Sequence, residues 1–434
     1  TTSMPGASRT REAGGKRHHG NEFRLTGGGC VFAGGDAGRC DSRGLALLWE
    51  AAAVDQPFVK DTLRLLLDHL GRVDDPREPC KVKFPLREVL FLVTSATIAG
   101  CDDYDEIVEW GNARLGFLRE HGEFHFGIPK EDWLRVVMNR IDPALFEACF
   151  LAWIDTLRPH DGRDIIALDG KTVRRSGDDG KALPPVHLVS AWASGQRLVL
   201  AQEAVAEKTN ECAAIRAILQ RLSIKGALVS IDAIAANPAM AEAITVAGGD
   251  YVLALKRNQP SLHDEVAAYF DDPDTPALAG ITLTDKDHGR LETRTYTVSH
   301  DVGWLSGDRR YPGEPRFPGL QCLIRTTTRS ERRGKVSEQT RYYISSDALS
   351  PARAAEAIRG HWGIESLHWV LDVIFKEDLS RLRRGHGAKN MALVRRFAFN
   401  LVRHGKGKTS IKTARKRAGW TPEFLRHILQ TQPR

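Results

Sequence analysis

Residues 164–172, DIIALDGKT, and residues 227–233, ALVSIDA, decide how the chain is read. Each is a short, β-branched apolar run that stops at an aspartate, Asp169 in the first and Asp232 in the second. Runs of this length and composition predict buried strands rather than helices. Working outward, VHLVSAWAS (186–194) and RLVLAQEAVA (197–206) come soon after the first run and predict a three-strand meander. NECAAIRAILQRLSI (210–224) has the three- and four-residue apolar spacing of a helix and leads into the second run. PAMAEAITVAG (238–248) and DYVLALK (250–256) supply another helix and strand.

Strand, strand, strand, helix, strand, helix, strand is the element order of a ribonuclease H-like α/β fold, expected here over residues 161–385. A β-rich insertion at about residues 281–347 interrupts it, carried by RLETRTYTVSHDV, LQCLIRTTTRS and VSEQTRYYISS. The last long helix of this domain is PARAAEAIRGHWGIESLHWVLDVIF (351–375), with Asp347 or Ser350 as its cap and Pro351 in its first turn. Upstream, residues 58–160 carry helical spacing almost throughout (VKDTLRLLLDHLGRV, PLREVLFLVTSATIAGC, DYDEIVEWGNARLGFLREHG, GIPKEDWLRVVMNRIDP, PALFEACFLAWIDTLRP) and predict an all-helical N-terminal domain. Residues 1–50, rich in Gly, Arg and Ser, predict a disordered extension. Residues 386–434 predict a basic helical C-terminal segment.

At 434 residues the chain has room for two or three cores. From Lys376 to Arg434 there are sixteen Lys and Arg against three Asp and Glu, which suits a polyanion or a merely soluble basic tail. The seven cysteines are scattered and form no C-x-x-C pair, which argues against a structural zinc site or a disulfide scaffold. No apolar stretch is long enough to span a membrane, and no apolar segment follows the basic N-terminus, so the expectation is a reduced, cytoplasmic protein.

A third acid, Glu365, lies in the helical run IRGHWGIESLHWVLD. Two aspartates at strand ends and a glutamate on a helix supply the hard oxygen ligands that Mg²⁺ or Mn²⁺ prefers, and two such ions can activate the attacking and stabilise the leaving oxygen of a phosphodiester. Each acid also has a plain reading. Asp169-Gly170 is a hairpin-turn signal, Asp232 can cap the next helix, and Glu365 can be an ordinary helix residue. His361, Trp362, His368 and Trp369 can contact phosphates and bases or pack a core. Lys171, Arg174 and Arg175 can hold a phosphate backbone or solvate a strand end.

These motifs resemble the DDE transposases of the H-repeat-associated group, of the ISAs type, within the ribonuclease H-like insertion-sequence transposases. The resemblance covers about residues 60–405 and rests on GIPKEDWLRVVMNRIDPALFEACFLAWI, LDGKTVRRS, HLVSAWAS, EKTNE, IDA, DYVLALKRNQPSLHDEV, DHGRLETR and IRGHWGIESLHWVLDVIFKEDLSRLRRG. It implies a bacterial, nucleoid-associated enzyme that uses two Mg²⁺ or Mn²⁺ ions to cut DNA at element ends and join the 3′-hydroxyls to target DNA. Its partners would be terminal-repeat and target DNA, and it would act as a dimer or larger assembly on that DNA. It puts Asp169, Asp232 and Glu365 at the metals, and Lys208, Asn210, Lys256, Asn258, Gln259, His288, Arg290, Arg359 and His361 in motifs that touch DNA or support the site.

The chain departs from the pattern after Glu365, where one residue is missing before Leu367-His368-Trp369. Arg257 also replaces a common glycine, and Asn237 stands near a usual glutamine. The deletion rotates every later residue of the helix by about 100° and predicts that His368 and Asp372 face differently from the family's equivalents, unless a local bulge absorbs it. A decayed copy that only binds DNA, or a nuclease that cuts without joining, are the rival readings.

Overall fold

A computed structural model describes residues 62–431 apart from 159–163, 178–183, 206–210, 234, 257–258, 288–289, 307–315 and 333. The expected extension at 1–50 therefore lies outside the described residues. So do Lys208, Asn210, Asn258 and His288. Among the described residues, no helix is long and apolar enough to cross a membrane.

The chain first forms α1 (Thr62–Leu70), α2 (Leu86–Ile98), α3 (Tyr104–Ala113), α4 (Leu115–Arg119), α5 (Glu131–Arg140) and α6 (Pro143–Leu157). Local chemistry sets the boundaries. Asp103 caps α3 by accepting from the Glu106 N–H at 2.9 Å, and Asp142 caps α6 ahead of Pro143. α2 is apolar nearly all round and is buried along most of its length, as a helix at the centre of a bundle must be.

The sheet begins with β1 (Ile165–Thr172), β2 (His187–Ala193) and β3 (Leu198–Val205), an antiparallel meander. α7 (Glu211–Arg221) leads to β4 (Leu228–Ile231), and α8 (Pro238–Val246) to β5 (Asp250–Leu255). β4 lies parallel to both β1 and β5. Residues 257–278, for which the sequence pattern names no element, contribute α9 (Pro260–Asp271), and β6 (Ala279–Asp287) opens the expected β-rich insertion. Leu262, Val266 and Phe270, four residues apart, bury one stripe of α9. β7 (Arg290–Ser299), the short α10 (Gly303–Ser306), β8 (Cys322–Arg332) and β9 (Lys335–Ser345) come next. β9 pairs antiparallel with β5, so the β-rich region extends the first sheet: the order is β3-β2-β1-β4-β5-β9-β8-β7-β6. The fold is mixed α/β with one large sheet.

α11 (Pro351–Val373) starts where expected, with the Ser350 hydroxyl accepting from the Arg353 N–H and Pro351 in the first turn. It covers one face of the sheet. Ile165, Leu228, Val252 and Ala254 pack with its Ala354, Ala357 and Ile358, while Ile166, Val229, Ile231 and Leu253 turn to the opposite face with α7 and α8. That alternation is the two-residue period of a strand. α12 (Gly387–Gly405), α13 (Ile411–Trp420) and α14 (Pro422–Gln430) close the chain.

The basic C-terminal segment is not a free tail. Phe397 of α12 lies 4.8–5.8 Å from the rings of Phe146, Phe150 and Trp153, and Asn400 bonds both the N–H and the carbonyl of Val199 on edge strand β3. Arg395, Arg396 and Arg415 are buried; the last donates to the Thr97 carbonyl and to Asp102. Charge that suits a polyanion when counted along the sequence is here partly consumed inside the fold.

Candidate active site

Strand register brings two of the three acids together. Leu168 pairs with Ile231 across the parallel β1–β4 ladder, so the next residue on each chain, Asp169 and Asp232, stands at the same level. Both share the strand face that α11 covers, since Asp169 follows Ile165 and Ala167 in parity and Asp232 follows Leu228 and Ser230. β1 continues through Thr172, so Asp169-Gly170 is not a turn, and α8 is capped by Asn237 rather than Asp232. α11 supplies the third acid. His361, Glu365, His368 and Asp372 recur at four, three and four residues and make one helix stripe. Two strand residues advance about 6.6 Å and four helix residues about 6 Å, so α11 keeps step with β1. Asp169, Asp232 and Glu365 line one cleft of about 190 Å³, with Lys256, His361 and Trp362.

Past Glu365 the stripe still faces β1. α11 runs unbroken to Val373, His368 Nδ1 lies 3.6 Å from Asp169 Oδ2, and Asp372 reaches Lys171. Trp362 and Trp369, one position further round, are 45% and 58% exposed and are not core.

The charges in the cleft are unevenly compensated. Burial raises the Asp169 pKa to about 6, opposed by the Gly170 N–H and reinforced by Glu211, Asp232 and Glu365. Burial also works against ionised Asp232, but the Lys256 ammonium, 2.8 and 3.1 Å from its two oxygens, and the Ala233 N–H bring its pKa below the usual value. His361 shares a hydrogen bond with Ser230 Oγ at 3.0 Å, and burial lowers its pKa. Burial, then Lys171 and Arg396, brings His368 down to about 3, so it faces Asp169 as a neutral ring.

One sequence expectation fails here. Lys171 is not available to a phosphate backbone: its side chain is 7% exposed and pairs with Asp372 and, at 2.7 Å, with Glu377. Glu377 in turn bonds the buried Arg396 guanidinium. The sequence shows the lysine next to the acid but not the two carboxylates that fold onto it from some two hundred residues away. Arg174 and Arg175 are exposed, with Arg174 3.5 Å from Asp378. Arg290 bonds Glu292 and Ser330, Arg359 pairs with Asp285 at 2.7 Å, and half-buried Gln259 precedes α9. Of the residues expected to meet DNA, Lys256 and His361 line the cleft.

A family model described as the Transposase DDE domain matches residues 160–401, and one described as DDE_Tnp_1-associated matches residues 67–154. The chain belongs to the DDE transposase family. This transposase is 36% identical over 375 residues to Putative transposase YncI of Escherichia coli O157:H7, covering 85% of this chain and 95% of that one. It is 33% identical over 375 residues to the H repeat-associated putative transposase YhhI of Escherichia coli strain K12, covering 85% and 98%. An uncharacterized protein in the dhlA 3' region of Xanthobacter autotrophicus is 40% identical over 284 residues, 64% of this chain and 93% of that one. Among solved structures, the piggyBac transposase synaptic complex with hairpin DNA aligns at a TM-score of 0.41 and 9% identity, covering 85% and 81%; likeness at that level supports no argument. The H-repeat-associated resemblance is thereby shown, and with it a role in DNA transposition.

DDE transposases generally use divalent metal ions, and the donors of this transposase fit them. They are hard carboxylate oxygens, one of them resisting ionisation beside its neighbours and another already holding a cation, the Lys256 ammonium. Among the described residues, no three His, Cys, Asp or Glu groups are gathered into a ready-made metal cage. The site is a cleft with acids on its walls. Sequence reading missed Glu211, which opens α7, sits with its carboxyl beside Gly170 and raises the Asp169 pKa. A usable signal was present: Glu211 ends the EKTNE motif, of which only Lys208 and Asn210 are singled out.

Proposed function

We propose that this transposase cleaves DNA at the ends of a mobile element and joins the freed 3′-hydroxyls to target DNA, with Asp169, Asp232 and Glu365 holding two Mg²⁺ or Mn²⁺ ions. The observation that carries this reading is the meeting of these three acids, from β1, the end of β4 and α11, in one cleft of a DDE transposase. When bound, such ions supply activation of the attacking oxygen and stabilisation of the leaving one. The chain supplies the rest. Lys256 holds Asp232 ionised, while burial and neighbouring acids keep Asp169 reluctant to lose its proton until a cation arrives. His361 and His368, both shifted toward the neutral ring, add no positive charge that would compete with the metals.

The β3-β2-β1-β4-β5 portion of the sheet supports a ribonuclease H-like core. In this reading the catalytic domain spans 161–385, with its insertion at about 281–347, between a helical domain at 58–160 and the basic segment 386–434. Its partners are terminal-repeat and target DNA in a bacterial nucleoid, and it works as a dimer or larger assembly that holds two DNA ends. The test is Mg²⁺-dependent cleavage of DNA carrying the element's terminal repeats. Asp169→Ala, Asp232→Ala and Glu365→Ala should each abolish it, and intact cleavage in all three sinks the assignment. Cleavage without joined product would make the chain a nuclease instead.

A further inference from the structure

We infer that a second groove, on the shoulder of α11 away from the acids, is a binding site for the phosphodiester backbone of a DNA strand. It holds about 410 Å³ and is lined by Arg197, Arg359 and Arg403, with no carboxylate in its wall. Arg359, which pairs with Asp285, is the least free of the three. Arg197 lies in the turn between β2 and β3, and Arg403 in the last turn of α12. Among the described residues, neither has an ion-pair partner. Burial, and then Arg197 itself, lower the Arg403 pKa, and burial, then Arg403 and Arg197, lower that of Lys406 nearby. Arginine stays charged through such shifts, so the fold gathers positive charge here without compensation. Planar guanidinium groups with free donors match phosphate oxygens.

Two backbone features shape the groove. Arg197 has φ +56°, a left-handed conformation that non-glycine residues adopt rarely, and this turn carries its side chain to the groove wall. Gly360 and Gly363 let α11 press against β2: a Cβ on Gly363 would lie 2.8 Å from Trp192 Nε1, and one on Gly360 would lie 3.0 Å from Ser194. The groove is also joined to the cleft. Around α11 the order is the acid stripe with Glu365, then exposed Trp362 and Trp369, then Arg359, Gly363, Ser366 and Val370 on the groove side. A strand leaving the acids would pass exposed Trp369, whose ring can stack on a base, and Trp362, whose ring carries the Arg341 guanidinium 5.0 Å from its centroid, before it meets the arginines.

This inference rests on the proposed function and can fail separately from it. The test is binding of a short labelled duplex of mixed sequence to the full chain, by fluorescence anisotropy across a salt series in EDTA, so that metal at the acids plays no part. The double variant Arg197→Ala, Arg403→Ala should bind about tenfold more weakly at low salt and flatten the log-affinity against log-salt slope by about 2. Arg197→Lys with Arg403→Lys should restore the slope, and Arg216→Ala with Lys225→Ala, which removes the same charge elsewhere, should leave it unchanged. Thermal melting checks that each variant is folded. A wild-type slope in the first variant, or an equal loss in the charge control, overturns the inference alone. Calorimetric loss of inorganic-phosphate binding with an unchanged duplex slope also overturns it, since the groove then holds only free phosphate. Wild-type protein that binds no duplex would sink the proposed function with it.

Discussion

Two clusters of charge meet α11 and β1, one at Glu365 and Asp169 and the other at Asp372 and Lys171, two helical turns further on, and they are built on opposite principles. In the first, Asp169, Asp232 and Glu365 face one another across an open cleft that Lys256, paired with Asp232, and Arg341 also line. In the second, Lys171, Asp372, Glu377, Arg395 and Arg396 form an ion cluster closed at its centre, in which the Glu377 carboxylate, though fully buried, is held well below its usual pKa by Arg396, Lys171 and Arg395. Charge answered from within the chain is a fastening. Like charge left unanswered in a cleft waits for something the chain does not contain.

The sharpest way to break this comparison is through Glu377. Glu377→Gln strands the Arg396 and Lys171 charges in the interior and should cost about 3–5 kcal/mol of stability, read from urea unfolding. A cost below about 1 kcal/mol would show that the lower cluster is no fastening. Next comes Glu365→Gln, which removes an exposed helix carboxylate. It should leave the urea midpoint unchanged and reduce Mg²⁺-dependent cleavage by at least about a hundredfold, the scale for losing one group that stabilises transition-state charge.

pH separates the clusters by sign. The Asp169 pKa, at about 6, lies above its unfolded value of about 3.9. Its contribution to stability is therefore fully present below pH about 4 and lost as the pH rises through about 6. Glu377 is depressed instead, so its contribution is present above pH about 4.5 and lost as the pH falls below that. Asp169→Asn should accordingly stabilise the metal-free protein by about 1–3 kcal/mol at pH 7.5 and by nothing at pH 4, measured as urea midpoints at the two pH values. A destabilisation at pH 7.5 would mean that Asp169 is a structural acid like those below it.

The sequence made the upper cluster far more legible than the lower one. Asp169 and Asp232 end strand-like runs whose pairing and parity follow from a two-residue period, and Glu365 lies in a run whose helical spacing is plain. Local pattern is enough there. The lower cluster depends on meetings between Lys171 and residues some two hundred positions downstream, which no local period encodes. For the same reason the buried arginines of α12 and α13 look like a polyanion surface when counted along the chain. α9 escapes because it is a short, largely polar stretch bounded by Pro260 and Pro273, and the paired Trp and His of α11 leave their exposure open. His368 is buried while Trp369, the next residue, is not.

The smallest predicted effect tests how the open cluster is balanced. Lys256 and Asp232 are both about half exposed, so their pair should contribute less than about 1 kcal/mol to stability, and Lys256→Met should hardly move the urea midpoint. Its effect should appear elsewhere. The ammonium now spans both oxygens of Asp232 and must yield them before a divalent ion can take them. Without DNA, Lys256→Met should therefore bind Mn²⁺ more tightly than wild type by calorimetry, and adding Asp232→Asn should remove that gain. Weaker Mn²⁺ binding in Lys256→Met would mean that the lysine organises the metal ligand rather than competing for it. Asp232 would then belong, with Glu377, among the carboxylates whose charge the fold has already answered.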